Sequence, residues 1–210
     1  MHSLSVMLKP ASGQCNMHCD YCFYCDEMEQ RAQASYGFMS EETLQNVIRK
    51  TMLNADREIS FSYQGGEPTL AGLAFFEKAV ELQRKYNRKG IRVHNALQTN
   101  GYALNEKWCQ FFARHQFLIG LSIDGMQETH DAYRHGRILQ DKEQKTGQSR
   151  FRIPIESETC ETDIVQGQKN QTYERALHAA DLLKRYGVDF NILTVVNRQT
   201  AARIEDIYED

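Results

Sequence analysis

The stretch Lys9–Tyr24 reads KPASGQCNMHCDYCFY, directly after a short apolar run, and three of its cysteines are Cys15, Cys19 and Cys22. Three thiolates at these spacings in one loop can bind three irons of a cubane cluster, which leaves the fourth iron open to a small molecule. Four cysteine ligands would instead close the cluster and favour simple electron transfer. The spacing therefore predicts a [4Fe–4S] site with one open iron.

A zinc site is the alternative interpretation of the same loop. Cys25 or His18 could supply a fourth zinc ligand. Cys25 lies beyond Phe23 and Tyr24, and we do not expect it to be a ligand. Spacing alone leaves the zinc site open.

Composition limits the classes of protein to consider. The chain has 210 residues, of which 41% are hydrophobic and 25% charged, as suits one or two domains with a packed core. A net charge of −3 gives no electrostatic reason to expect nucleic acid or an anionic membrane as a partner. There is no apolar run of about 18 residues and no export signal in Met1–Pro10. From these two absences we predict a cytoplasmic protein. In such a reducing compartment, clustered cysteines more often bind metal or carry out redox chemistry than form disulfides.

Apolar periodicity predicts alternating strands and helices. Such alternation is typical of βα units on a parallel sheet, and none of the connections resembles a tight hairpin. The predicted strands are Leu4–Lys9, Glu58–Tyr63, Arg92–Gln98, Phe117–Ile123 and Asp189–Val196. The predicted helices are Glu41–Asn54 with Ser40 as N-cap, Leu73–Tyr86, Glu106–His115, Tyr173–Tyr186 ending at Gly187, and one beginning at Ala201–Asp210. Between Pro10 and about Gly37 the cysteine-containing segment is predicted as a loop.

One polar segment, Gly136–Asn170, interrupts this alternation and is longer than a typical βα connection. Within it Phe151, Ile153 and Ile155 alternate, although Pro154 would restrict a strand there to a sheet edge. We expect a surface insertion, and a lid over the site is the alternative.

Polar motifs follow three of the predicted strands. Gln64–Pro68 reads QGGEP; its glycines let the backbone approach a ligand closely, and its carbonyls and Glu67 can accept hydrogen bonds from an ammonium group. Two further turns are QTNG, which contains Asn100, and SIDG, which contains Asp124. Because Asn-Gly and Asp-Gly are also common turn formers, ordinary turn chemistry and a role in a site are equally good interpretations of Asn100 and Asp124.

The cysteine loop, with Tyr21 before its third cysteine, and the GGEP turn resemble the radical S-adenosylmethionine (SAM) superfamily. The resemblance implies a partial βα barrel, and for this reason we prefer a barrel to a doubly wound sheet. It implies a [4Fe–4S] cluster on Cys15, Cys19 and Cys22, with SAM bound to the open iron. In that superfamily an electron from the reduced cluster cleaves the sulfonium of SAM and releases a 5′-deoxyadenosyl radical. The residues implied to bind SAM are Tyr21, Gln64, Gly65, Gly66, Glu67, Pro68, Ser122 and Arg134. An exposed arginine on a helix is the alternative for Arg134.

Within that superfamily, the combination KPAS…CNxxCDYCFY, SYQGGEPTLAGL, LQTNG and GLSIDG…HDxYR resembles anaerobic sulfatase-maturating enzymes. The resemblance covers about Leu4–Arg134 and resumes at Thr172. It implies oxidation of a cysteine or serine of a sulfatase to Cα-formylglycine, with Tyr24 near the peptide substrate. The implied partners are a sulfatase polypeptide and an electron donor such as flavodoxin or ferredoxin.

The chain also departs from that family. The family lacks the 136–170 insertion, and it continues well past Asp210 with a sixth strand, a catalytic aspartate and a cysteine-rich domain of the SPASM type with auxiliary clusters. We therefore expect residues 1–210 to be an incomplete radical SAM core domain, truncated at its C-terminus, with about five of six strands and no auxiliary-cluster domain. The general base is expected beyond residue 210. Two alternatives stay open: another peptide-modifying radical SAM enzyme, or a non-catalytic iron–sulfur-binding fragment.

Overall fold

The computed structural model describes residues 3–136 and 171–209. The strands are β1 (Ser3–Leu8), β2 (Met17–Cys19), β3 (Glu58–Tyr63), β4 (Arg92–Thr99), β5 (Phe117–Ser122), β6 (Arg134–Gly136) and β7 (Phe190–Leu193). The helices are α1 (Phe23–Gln30), α2 (Glu41–Asn54), α3 (Leu73–Tyr86), α4 (Glu106–Arg114), α5 (Gln127–Tyr133), α6 (Thr172–Arg185), α7 (Arg198–Ala201) and α8 (Ile204–Glu209), with a 3-10 turn at Pro68–Ala71.

Five of these strands form one parallel sheet in the order β1, β3, β4, β5, β7. The connections between them contain α2, α3, α4 and α6, so the sheet is built from βα units. Because the strands are parallel, their carboxyl ends lie along one rim, where Leu8 pairs with Tyr63 and Ser122 with Leu193. The cysteine loop and the QGGEP, QTNG and SIDG motifs all follow strands at this rim.

The five predicted strands and the first four predicted helices are confirmed, and β3 and α3 agree with the prediction at both ends. Ser40 caps α2, since its side chain accepts a hydrogen bond from the Thr43 N–H. Gly187 follows α6 with a φ of 64°, the left-handed conformation expected after a helix. The predicted α/β class with a five-stranded parallel sheet is therefore correct.

The core lies between the sheet and the helices. Burial alternates along β3, where Ile59, Phe61 and Tyr63 are at most 1% exposed. Phe76 and Phe112, from α3 and α4, are fully buried against this face. Burying each such side chain contributes about 1.5–3 kcal/mol to the free energy of unfolding. The helices are therefore held to one face of the sheet, and the rim motifs are held in place by the strands that precede them.

The predicted loop from Pro10 to Gly37 is wrong at two places, since it contains β2 and α1. Helix α1 begins at Phe23, with Cys22 as its N-cap residue, and none of its residues is buried. Without a buried face, its sequence lacks the apolar period that reveals a helix. The helix predicted to begin at Ala201 is likewise replaced by two short helices, α7 and α8.

Strands β2 and β6 form a short antiparallel pair that the sequence analysis missed. Met17 pairs with Gly136, His18 with His135, and Cys19 with Arg134. One further backbone hydrogen bond lies next to these three pairs, since the Asp20 N–H donates to the Tyr133 carbonyl at 2.9 Å. The pair joins segments more than a hundred residues apart, so no local pattern could reveal it. It holds the cysteine loop against the segment that carries Arg134.

The polar insertion and its candidate strand at Phe151–Ile155 lie outside the described residues, apart from Gly136. Within residues 3–136 and 171–209, no helix combines the length and the apolar character needed to cross a bilayer. At one edge of the sheet, Ile192 in β7 and the nearby Val196 are 53% and 61% exposed.

Candidate functional site

The cysteine loop turns tightly around its three predicted ligands. Cys15, Cys19 and Cys22 are all partly buried. The Cys22 N–H donates to the Cys19 carbonyl at 2.9 Å, and the Cys25 N–H donates to the Cys22 carbonyl at 3.0 Å. The loop therefore carries Cys19 and Cys22 on one turn at the start of α1, whereas Cys25 lies within the helix.

The surroundings of Cys15 and Cys19 oppose the ionisation of these two thiols. The pKa of Cys15 is raised to about 12, chiefly by burial and then by the Glu67 carboxylate, while the hydrogen bond from the Met17 N–H acts in the opposite direction. Burial raises the pKa of Cys19 to about 11, although Arg134 acts in the opposite direction. Thiolates held close together repel one another, so they persist together only beside positive charge, which iron ions would provide. This donor set therefore fits a cluster bound by thiolates.

No group of three His, Cys, Asp or Glu side chains among the described residues is arranged to hold a single metal ion. The cluster on Cys15, Cys19 and Cys22 therefore stays a prediction from their spacing.

The QGGEP turn lies directly against the cysteine loop. The Gly66 N–H donates to the Ser12 carbonyl at 3.0 Å, and the Glu67 N–H donates to the Gln14 carbonyl at 2.7 Å. A Cβ at Gly66 would lie 1.9 Å from the Gln14 oxygen, and one at Gly65, where φ is 123°, would lie 2.6 Å from the Ser12 oxygen. Sequence reasoning attributed these glycines to close approach of a ligand. In the structure they permit close approach of the cysteine loop.

Glu67 is 1% exposed and its carboxylate accepts hydrogen bonds from inside the fold. Oε1 accepts from the Thr69 N–H at 3.0 Å, from the Thr69 hydroxyl at 2.7 Å and from the Thr99 hydroxyl at 2.8 Å. Oε2 accepts from the Asn100 N–H at 2.8 Å. Burial raises the pKa of Glu67, and these hydrogen bonds oppose the rise. The side chain thus ties the turn after β3 to the end of β4, with the buried Pro68 starting the 3-10 turn between them.

Asp124 connects three segments of the rim. Its carboxylate accepts from Arg134 Nε at 2.7 Å and Nη2 at 3.0 Å, from the Val195 N–H at 3.0 Å, and from the Tyr21 hydroxyl. Burial alone would raise the pKa of Asp124, but the bonds and the charge of Arg134 hold it below its ordinary value. The carboxylate is therefore ionised in the fold and forms a charge-assisted network.

Two residues predicted separately to bind SAM belong to this network. Arg134 is 6% exposed and lies in β6, so the alternative of an exposed helical arginine is wrong. Its guanidinium carbon is 5.6 Å from the centre of the Tyr21 ring, a distance suited to a cation–π contact. Through the β2–β6 pair, Arg134 also lies opposite Cys19. The structure thus brings Tyr21 and Arg134 together beside the cysteine loop.

The other predicted site residues lie at or near the same rim. Ser122 is the last residue of β5 and is 8% exposed. Gln64 directly follows β3, and its N–H donates to the Leu8 carbonyl at 3.0 Å. Tyr24 is in the first turn of α1, with Lys9 Nζ 4.9 Å from the centre of its ring.

Sequence reasoning left Asn100 and Asp124 undecided between turn chemistry and function, and it did not single out Thr99. The structure gives Asn100 contacts with the cysteine loop and makes Asp124 the centre of a buried network. The available signal was position, since each of the three residues lies at or just after the carboxyl end of a strand.

With this geometry in place, comparison with known proteins identifies the family. The model of the Radical SAM superfamily matches residues 10–210, nearly the whole chain. A cysteine-type anaerobic sulfatase-maturating enzyme of Clostridium perfringens (strain ATCC 13124) is 39% identical over 209 residues, which are 100% of this chain and 48% of that relative. A serine-type enzyme of Klebsiella aerogenes is 34% identical and is matched over 97% of this chain and 42% of its own length.

Solved structures agree with these relatives. Native anSMEcpe with bound AdoMet and Cp18Cys peptide superposes with a TM-score of 0.78 at 38% identity, over 99% of this chain and 47% of that one. The chain thus spans about half the length of the relatives that it matches. It belongs to the radical SAM superfamily and is a homologue of the anaerobic sulfatase-maturating enzymes within it.

Proposed function

We propose that this chain forms the cofactor-binding part of a radical SAM oxidoreductase of the sulfatase-maturating type. The observation that carries the proposal is the direct contact between the cysteine loop and the QGGEP turn at the carboxyl rim of a parallel sheet. In βα folds this rim is where catalytic groups gather. Cys15, Cys19 and Cys22 would hold a [4Fe–4S] cluster, which, when bound, supplies the electron for reductive cleavage of SAM.

The residues around the loop would bind and orient SAM. The backbone carbonyls of Gln64, Gly65 and Gly66 are suited to an ammonium group, because each is a hydrogen-bond acceptor and an ammonium group has three N–H donors to satisfy. The Glu67 carboxylate already accepts four hydrogen bonds inside the fold, so its role would be to fix the shape of this turn.

Ser122 and Arg134 supply the donors for the ribose and the carboxylate of SAM. The Asp124 carboxylate and the Tyr21 ring hold the Arg134 guanidinium in one orientation, so little conformational entropy remains to be lost on binding. Tyr21 would thus act through Arg134 as well as through its position next to Cys22.

The reaction we propose is oxidation of a cysteine or serine of a sulfatase polypeptide to Cα-formylglycine. Its support is the similarity to both cysteine-type and serine-type maturating enzymes and to a relative solved with a peptide. Tyr24, beside Cys22 and Cys25 on α1, would contact the peptide. A flavodoxin or ferredoxin would supply electrons, and a reducing, cytoplasmic location would keep the thiols available to iron.

To test the proposal, we would reconstitute the chain anaerobically with iron and sulfide, reduce it, and record EPR spectra with and without SAM. The expected result is a cluster signal that SAM shifts, with 5′-deoxyadenosine formed in the same sample. Cys22→Ala should lose the cluster, whereas Cys25→Ala is the matched control and should keep it. A zinc-loaded protein, or a cluster indifferent to SAM, would contradict the proposal.

Formylglycine formation needs a separate assay. A synthetic peptide with the Cys/Ser-x-Pro-x-Arg motif of sulfatases is incubated with the reduced, SAM-loaded protein and followed by mass spectrometry. An aldehyde at the cysteine or serine supports sulfatase maturation. SAM cleavage with modification of a different peptide only would favour another peptide-modifying enzyme.

A further inference from the structure

The side chain of Asn100 lies against the first cysteine of the loop. Its Nδ2 is 3.6 Å from Cys15 Sγ and 2.8 Å from Asn16 Oδ1. A primary amide has two N–H groups, so both neighbours can be bonded at once. The Met17 N–H also points at Cys15 Sγ, at 3.4 Å. The sulfur of Cys15 is thus approached by two N–H donors.

The orientation of this amide is set by its other end. Asn100 Oδ1 accepts a hydrogen bond from the Tyr102 N–H at 2.9 Å. If the amide were flipped, this backbone donor would face the NH2 group, so the flipped form is disfavoured. The Asn100 N–H in turn donates to Glu67 Oε2 at 2.8 Å. Asn100 is therefore anchored at both its backbone and its carbonyl oxygen, with its N–H groups facing the cysteine loop.

A donor in this position has an electrostatic effect on an iron–sulfur cluster. Reduction adds negative charge to the cluster and its thiolates, and an N–H directed at a ligand sulfur stabilises that charge. Hydrogen bonds to the sulfurs are accordingly among the factors that set cluster potentials. Removing the donor shifts the potential to more negative values, and replacing it with a carboxylate shifts it further.

We propose that Asn100 is a positioning residue for the cluster: its amide orients the Cys15 sulfur as a ligand and raises the reduction potential of the cluster. This inference rests on the proposed function, because it requires a cluster at Cys15. It goes beyond turn chemistry, for which only the Oδ1 bond to Tyr102 matters. A turn role predicts that aspartate replaces asparagine without effect, since aspartate keeps that oxygen.

The experiment compares three variants of the reconstituted chain by EPR-monitored redox titration without SAM. Asn100→Asp keeps the acceptor for Tyr102 and converts the donor into a negatively charged acceptor. Asn100→Ala removes the donor without adding charge. Asn105→Asp is the matched control, because it makes the same amide-to-carboxylate change at the N-cap of α4, where aspartate is a preferred residue.

We expect Asn100→Asp to disfavour cluster reduction by at least tenfold, about 59 mV for one electron. Asn100→Ala should shift the potential in the same direction by less, and Asn105→Asp should leave it near the wild-type value. Loss of cluster loading in both Asn100 variants, with an unchanged circular dichroism spectrum and normal loading of Asn105→Asp, also supports the positioning role.

Two results would overturn the inference, and only one of them would also overturn the proposed function. If all three variants load a cluster with the wild-type potential, Asn100 serves only the turn, and the proposed function stands. If the wild-type chain itself binds no iron–sulfur cluster, the inference and the proposed function fail together.

Discussion

Asp124 and Arg134 form a bidentate ion pair, with Nε–Oδ2 and Nη2–Oδ1 distances of 2.7 and 3.0 Å, and their side chains are 1% and 7% exposed. Arg134 sits opposite Cys19 in the β2–β6 pair, and Asp124 follows β5. The ion pair therefore links the cysteine loop to the main sheet through side chains, in addition to the backbone contacts that the QGGEP turn provides.

The first prediction concerns this ion pair. Asp124→Asn should lower the free energy of unfolding by about 3–5 kcal/mol, because the buried Arg134 charge loses its partner. Asp56→Asn is the control, since it makes the same chemical change in an exposed pair with Lys89 and should cost at most about 1 kcal/mol. Urea unfolding at pH 7 measures both. Equal, small losses would contradict the importance of the buried pair.

The second prediction is the pH dependence of the same loss. The pKa of Asp124 is lowered in the folded state, so its contribution to stability is fully present above the ordinary aspartate pKa of about 3.9. The contribution is lost as the pH falls from there through the lower, folded-state pKa. The stability difference between wild type and Asp124→Asn should therefore shrink below about pH 4. A difference that stays constant down to acid unfolding would contradict an ionised, stabilising Asp124.

The third prediction concerns Gly66. Gly66→Ala places a Cβ 1.9 Å from the Gln14 carbonyl oxygen, so the backbone of the cysteine loop must move. We expect a loss of about 1–3 kcal/mol in stability and reduced iron binding per chain after reconstitution. The control, Gly90→Ala, introduces backbone strain at a φ of 62°, and among the described residues beyond its chain neighbours none has an atom within 4 Å of the added Cβ. The free energy of unfolding of Gly90→Ala should fall by about 1–2 kcal/mol, but this variant should bind iron normally. Normal iron binding by Gly66→Ala would show that the loop tolerates the shift.

The fourth prediction concerns the hydroxyl of Tyr21. Tyr21→Phe removes the hydrogen bond to Asp124 and keeps the ring beside Arg134. The free energy of unfolding should fall by about 1–2 kcal/mol, because the lost hydrogen bond joins a charged group at a partly exposed site. Tyr36→Phe, at a side chain that is 77% exposed, should change it by less than about 0.5 kcal/mol. Chemical denaturation at pH 7 distinguishes the two, and identical values would place the Tyr21 hydroxyl outside the network.

Much of the fold could be predicted because its signals are local. The alternation in Glu58–Tyr63 and the helical period of Leu73–Tyr86 reflect burial on one face of each element, and both elements were predicted to the residue. Helix α1 was not predicted because it has no buried face, and strand β2 was not predicted because three residues are too few to show a pattern.

For the site, residue type and spacing singled out Cys15, Cys19 and Cys22 as candidate cluster ligands, and this stays a prediction. The same information placed the QGGEP turn at the carboxyl end of a strand, where the structure has it. It did not show that Gly65 and Gly66 make room for the cysteine loop, since the contact joins segments about fifty residues apart in sequence. Nor did it show that Glu67 is buried and bonded within the fold.

By itself, the sequence determined the βα order and the parallel sheet, and it singled out the cysteine loop as the predicted cluster site, because periodicity and cysteine spacing are properties of residues close together in the chain. Only the tertiary structure decided how Asp124 joins Tyr21, Arg134 and Val195, and how Asn100 faces Cys15. Those contacts depend on which loops meet at the rim of the sheet. Their energies come from burial and directed hydrogen bonds, which exist only after the strands have brought these distant segments together.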